Sequence, residues 1–337
     1  MAEARPLNLV RMMAGRGLAA AYAGTMNILE LPMRVAQRSL GPGLAWLFVG
    51  PNLIVFSLFT FLPIVLNIWY AFSGSTNLLP SQRPWVGLDN MRALLSCQNH
   101  FDPSSCQRDL FWHGVYNTLE FVVLQVTLMV ALSLITALAL NKKVIGQGFF
   151  RAAFFYPVLL SPVVVALIWK WILQRNGVLN GVILSAGGTP FDWLLDARSA
   201  FSWTVFVSIW AHMGFYTLIL LAGLQAIPRD VYEAAEMDAA PPWTRFRRIT
   251  LPLLMPSFLV VVVLALIRAV QIFDEVFVLT GGGPGTATTY LVQFIYETGF
   301  AQQIREYGMA SAASLLLAAV LMLLTLAQLR LVRRGNG

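Results

Sequence analysis

Long apolar runs alternate with short polar segments from about Leu44 to the C-terminus. Spanning a bilayer takes about 20 mostly apolar residues. Runs of that length fall at roughly 44–72, 117–140, 152–173, 201–225, 255–279 and 309–331. Hydrocarbon offers backbone groups no water, so such runs must be helical. The pattern predicts an all-α integral membrane protein with six transmembrane helices. The first run starts too late and extends too far to be a cleavable secretory signal.

Residues 1–40 carry arginines among Ala and Met, and their apolar stretch Ile28–Val35 is interrupted by Glu30, Pro32 and Arg34. That segment is too polar to span. It reads as an amphipathic helix at the cytoplasmic interface, or else as a tail without fixed structure. Gly41-Pro42-Gly43 separates it from a membrane domain over 41–334. Segment 174–200 should hold a short helix around Val178–Ser185, with Trp171 and Trp193 as interfacial anchors. Segment 280–308 opens on Gly281-Gly282-Gly283-Pro284-Gly285, which permits tight non-helical backbone. A short amphipathic helix is expected from Thr289 to Phe300.

Composition fits this reading: 58% of residues are hydrophobic and 12% charged, unlike an ordinary soluble domain. The formal charge of +7 would suit nucleic acid, but the basic residues flank apolar runs and form no stripe interleaved with aromatics. No nucleic-acid partner is expected. The basic residues set topology instead. With the N-terminus inside, the inner segments and span ends hold Arg5, Arg11, Arg16, Arg34, Arg38, Lys142, Lys143, Arg151, Arg229, Arg245, Arg247, Arg248, Arg330, Arg333 and Arg334. The outer side holds only Arg83, Arg92, Arg108, Lys170, Arg175, Arg198 and Arg305. Fifteen against seven places both termini and loop 226–254 in the cytoplasm.

Cys97 and Cys106 fall together in the outer segment 73–116. An oxidising compartment permits a bond there, and closing so short a loop contributes roughly 2–3 kcal/mol on the chain-entropy model. The alternative is two unpaired thiols. Neither cysteine sits in a metal-ligand pattern, and His100, His113 and His212 are scattered, so no metal site is expected.

The polar island Glu233–Pro252 lies between the runs Phe201–Leu224 and Met255–Leu279, in water and open to a soluble partner. Asp230 is placed to cap a helix from Val231, with Glu233 as the acid of a capping box. The helix should reach about Ala239, because Pro241 biases Ala240 away from helical backbone. Pro241 and Pro242 should set a bend, and a second short helix should start at Trp243, with Pro252 before the next span.

Glu233, Ala234, Ala235, Asp238, Ala240, Phe246, Ile249, Leu251 and Pro252 together resemble the "EAA" coupling loop of bacterial ABC importer permeases. That loop reads roughly E-A-A-x-x-D-G-A, five positions, then F-x-x-I-x-L-P. The resemblance implies an elbow that docks in a groove of a separate ATPase. Ala234, Ala235 and Met237 would fill the groove while Glu233 and Asp238 make polar contacts. Ala239 stands where the family usually has Gly. A left-handed backbone there costs alanine on the order of 1 kcal/mol, and the double proline would set the bend in its place. Without a capping role for the whole pattern, the bland alternative of a solvated connector explains little of it.

Arg268, Gln271, Asp274 and Glu275 recur at i, i+3, i+6 and i+7 in the fifth run, along one face of a helix. Arg268 falls about 16 Å from the end of that run at 1.5 Å per residue. A charge at that depth costs roughly 2.5–3.5 kcal/mol, so the face should line a wet path, or Arg268 should neutralise Glu275. The run Phe273-Asp274…Thr280-Gly281-Gly282-Gly283-Pro284 resembles the F-D…T-x-G-G-P signature of the carbohydrate branch of these permeases. In that branch this span lines the sugar site. The fourth run would supply the other wall with Trp210, His212 and Tyr216, an aromatic surface suited to a pyranose ring. His212 also reads as a helix–helix hydrogen-bonding residue.

The resemblance implies a permease subunit in a bacterial cytoplasmic membrane, importing a sugar such as trehalose or maltose by alternating access. Its implied partners are a second permease subunit, two copies of a cytoplasmic ABC ATPase, an extracytoplasmic solute-binding protein and membrane lipid. The chain has no G-x-x-x-x-G-K-[ST] phosphate loop. It is thus read as no enzyme and as holding no cofactor, ATP and Mg belonging to the ATPase. A polyol or glycerol-3-phosphate permease is the rival within this class. A proton-coupled secondary transporter using Asp274, Glu275 and Arg268 is the rival outside it. An intramembrane enzyme would need a catalytic constellation that the spans lack.

Overall fold

The computed structural model describes residue 46 and residues 48–74, 76–142 and 146–335; the segment expected over 1–40 lies outside them. The chain divides into two compact units, residues 1–66 and 67–337. In the first, the described residues belong to an apolar helix, α1 (Phe48–Ala71), with a π-turn at Ser57–Phe61.

The second unit continues with α2 (Asp89–Leu95), α3 (Asp109–Asn141), α4 (Gln147–Phe155), α5 (Pro162–Leu173), α6 (Val178–Ser185) and α7 (Ala197–Gln225). There follow α8 (Arg229–Met237), α9 (Pro242–Val270), α10 (Asp274–Leu279), α11 (Leu291–Tyr296) and α12 (Tyr307–Gly335). Among the described residues no strand forms, only isolated bridges at Ser73–Trp85 and Cys97–Cys106. Among the described residues five helices are long and apolar enough to cross a membrane: α1, α3, α7, α9 and the Tyr307–Gln328 part of α12. A bent pair of helices, counted as one span, brings the number among the described residues to six.

That pair corrects the expected third span. Instead of one helix over 152–173, Gln147–Leu159 and Pro162–Ser185 meet at 102°. Pro162 has no N–H to donate and disfavours helical backbone at Ser161, whose ψ of 138° is extended. The fifth span is also corrected. It begins inside the polar island at Pro242, runs past Pro252 and Pro256, and stops at Val270. Residues 271–273 leave the helix, and α10 starts afresh at Asp274.

The core forms where α3, α7 and α9 meet, through Phe121, Met129 and Ala137, Val205, Tyr216 and Leu220, and Leu254, Val261 and Ala265. Tyr290 shares a 3.0 Å hydrogen bond with Thr204, and Thr118 accepts from the backbone N–H of Leu291 at 2.9 Å. Further along, Ser133 donates to the carbonyl of Met213 at 3.3 Å. Both helices thus advance in the same direction. Gly214 lets α7 approach the broken third span, since a Cβ there would lie 2.2 Å from the carbonyl oxygen of Phe154.

Between α1 and α3, Cys97 and Cys106 are joined by a disulfide. Arg108 pairs with Glu306 at 3.0 Å, tying the start of α3 to the segment before α12. The glycine run takes the backbone that only glycine adopts easily: Gly282 has φ 90°, and a Cβ there would meet Gln293 at 2.5 Å.

Candidate functional site

The breaks at 160–161 and 271–273 lie on one cavity of about 550 Å³. His212, Tyr216, Arg268, Gln271, Asp274 and Glu275 all line it, with Phe215, Phe273 and the break residues Val158, Leu160 and Pro162. The four polar residues do not form a stripe on one helix, as the spacing predicts. Arg268 and Gln271 close α9, whereas Asp274 and Glu275 open α10. Carboxylates in a first turn meet the positive end of the helix dipole, which favours starting a helix there. Lys170 donates to the carbonyl of Val278 at 2.9 Å and holds α5 against α10.

Arg268, Gln271 and Asp274 are exposed to the cavity, while Glu275 is only 4% exposed. The alternative of an Arg268–Glu275 ion pair does not form. Among the described residues Arg268 makes no ion pair, and Glu275 lies 4.0 Å from Nδ1 of His212. That nitrogen also meets the carbonyl of Ser208 at 2.9 Å; a carbonyl only accepts, so Nδ1 carries the proton. Trp210 is not part of this wall. It packs edge-on against Trp169, ring centroids 5.6 Å apart, and lines a different groove with Phe206 and Met213. The aromatic surface comes from Tyr216, Phe215 and Phe273, the last stacked on Phe277 at 5.2 Å. Together these groups bring an amide, a guanidinium, an exposed carboxylate, the buried carboxylate of Glu275 and aromatic side chains around one cavity.

The polar island folds as an elbow, with three corrections. First, α8 starts at Arg229, so Asp230 lies inside its first turn and no capping box forms. Second, the turn is made by Ala239 itself, with φ 50°. The N–H groups of Asp238, Ala239 and Ala240 return to the carbonyls of Ala234, Glu236 and Ala235 at 3.1, 3.0 and 2.9 Å, closing the helix end. Pro242 then opens α9, where a missing N–H is harmless. Third, Ala235 is only 7% exposed, so it supports the elbow from within and cannot fill a partner's groove. Glu233, Ala234, Met237, Asp238 and Ala239 are exposed. Sequence reasoning missed Trp243, which is exposed and lies against Phe246 at 5.7 Å; a tryptophan in a charged island was the available signal. It also missed the braces between α8 and α9: Glu236 with Arg245 at 2.5 Å, and Tyr232 with Thr250 at 2.9 Å.

Residues 129–336 match the family model of the binding-protein-dependent transport system inner membrane component. The chain belongs to this family. The permease is 36% identical over 310 residues to the trehalose/maltose transport system permease protein of Thermococcus litoralis, covering 91% of this chain and 98% of that one. It is 33% identical over 261 residues to the lactose transport system permease protein of Rhizobium radiobacter, covering 76% and 83% respectively. A bacterial ABC transporter that imports the acidic polysaccharide alginate shares the fold, with a TM-score of 0.74 at 24% identity over 90% of this chain and 98% of that chain. Membership in the family leaves the proton-coupled secondary transporter without support.

Proposed function

We propose that this permease imports a sugar, a di- or oligosaccharide, by alternating access, and that the cavity at the two helix breaks is where the sugar binds. The observation that supports this most is the lining itself. Gln271, Asp274 and Arg268 stand exposed beside Tyr216, Phe215 and Phe273, so hydroxyls and ring faces both find partners. The volume of about 550 Å³ falls within the roughly 300–1,000 Å³ usual for small-molecule sites. Binding at discontinuous helices is a recurrent arrangement in transporters, because unwound backbone is tolerated where it lines a cavity. The relatives named for trehalose/maltose and lactose transport support the same substrate class.

Energy comes from ATP bound with Mg on a separate cytoplasmic ATPase, present in two copies, which grips the exposed face of the elbow. A second permease subunit completes the channel, a solute-binding protein delivers the sugar, and both termini lie in the cytoplasm. The unpaired Arg268 favours a second reading, a polyol or glycerol-3-phosphate as cargo. Against it, Asp274 and Glu275 place two carboxylates beside one guanidinium, which disfavours an anion.

Purification of the complex through this chain, followed by uptake assays in vesicles, tests the proposal. ATP-dependent uptake of trehalose or maltose, with an ATPase and a second permease in the complex, is expected. Uptake of glycerol-3-phosphate but no sugar, or uptake driven by a proton gradient without an ATPase, contradicts it.

A further inference from the structure

Phe101 and Met237 are the most exposed large apolar side chains among the described residues, at 90% and 88%. They lie toward opposite ends of the spans. Phe101 precedes the start of α3 and Met237 follows the end of α7, and these two helices run in the same direction. Met237 sits on the elbow. Nothing yet accounts for Phe101.

The loop that carries Phe101 is held rigidly. The disulfide closes it at Cys97 and Cys106. The backbone N–H of Phe101 donates to Asn99 Oδ1 at 3.0 Å, and the one hydroxyl proton of Ser105 is shared between the carbonyls of Asn99 and Asp102, each 2.8 Å away. Asp102 Oδ1 accepts from the N–H and the hydroxyl of Ser104 at 3.1 and 2.6 Å. His100 stands edge-on to Trp112, ring centroids 5.4 Å apart, and its carbonyl accepts from the hydroxyl of Tyr116. All of this order holds out one phenyl ring that touches little of its own chain.

We propose that the loop Cys97–Cys106 is a docking knob for the extracytoplasmic solute-binding protein, with Phe101 as its anchor. The inference rests on the orientation in the import reading, which places this loop outside. A lipid surface fits poorly, because Phe101 is ringed by the exposed polar residues Gln98, Asn99, His100, Asp102 and Ser104. An aromatic anchor inside a polar rim is the usual make-up of a protein–protein hot spot. Holding the loop in place beforehand lowers the entropic cost of binding. The family depends on a binding protein, which supplies a soluble partner for that side.

The test uses the intact complex in proteoliposomes, titrated with its own solute-binding protein while ATP hydrolysis is read. Phe101→Ser should raise the half-saturating concentration about tenfold and leave basal and maximal hydrolysis unchanged. Phe101→Leu should restore most of the response, and Cys97→Ser with Cys106→Ser should fall between. A wild type that is stimulated, with Phe101→Ser responding identically, overturns the docking inference and leaves the import reading standing. Loss of the second permease from the Phe101→Ser complex overturns it too, by assigning the loop to a permease–permease contact. A wild type that its binding protein does not stimulate overturns the import reading itself, and the docking surface with it.

Discussion

The elbow and the cavity are joined by one helix yet built in opposite ways. The elbow is contiguous: its exposed residues fall between Arg229 and Arg248, and its braces, Glu236–Arg245 and Tyr232–Thr250, are local. The cavity gathers residues from the third-span break, from α7, and from both sides of the break after α9. Because α9 continues from Pro242 to Val270 through a π-turn at Phe246–Thr250, the elbow and Arg268 lie about 39 Å apart along it at 1.5 Å per residue. In the proposed cycle, a push on the elbow would pass through these braces into α9 and reach the end of the helix where Gln271 and Asp274 line the cavity. The contrast teaches that, in the proposed cycle, coupling and binding would depend on separate residues at the two ends of one helix.

Variants at the elbow should break transport while sparing binding. Glu233→Lys should abolish ATP-driven uptake, with the chain still in the membrane and sugar binding by the purified complex unchanged. Its side chain is exposed, so stability should shift by less than about 0.5 kcal/mol. Ala235→Asp should also abolish uptake, but by another route. It buries a carboxylate inside the elbow and should cost roughly 1–3 kcal/mol, seen as a lowered thermal midpoint. Equal midpoints for the two variants would erase this distinction between contact and support. The smallest effect is expected at the turn. Ala239→Gly relieves a φ of 50°, which costs alanine about 1 kcal/mol, offset in part by the greater freedom of glycine when unfolded. Slower hydrogen exchange in α8 with uptake unchanged is the expected result; loss of uptake would show that Ala239 touches the ATPase.

The same contrast explains what the sequence made legible. The elbow could be found because its residues are neighbours in the chain and its pattern is local. The cavity residues could be named, since charges such as Arg268 and Asp274 are costly in hydrocarbon, but their arrangement could not. Pro162 after Ser161 was a readable signal for the third-span break. No proline or glycine marks the break at 271–273, after which α10 packs against α5 through Lys170 and the carbonyl of Val278. Trp210 was misplaced because periodicity gives the face of a helix and not its neighbour, here Trp169. Ala235 was misjudged because an alanine reads alike on an inner or an outer face.

Two variants test most directly whether the cavity is the sugar's site and not part of the motor. Gln271→Ala and Asp274→Ala should be reconstituted with the rest of the complex, and sugar uptake measured beside basal ATP hydrolysis. Uptake should fall at least about tenfold, as expected when a pair of buried hydrogen bonds to ligand is lost, while basal hydrolysis persists. Normal sugar uptake in both variants, with Arg268→Ala selectively losing a phosphorylated polyol, would contradict the neutral-sugar reading and put an anion in its place.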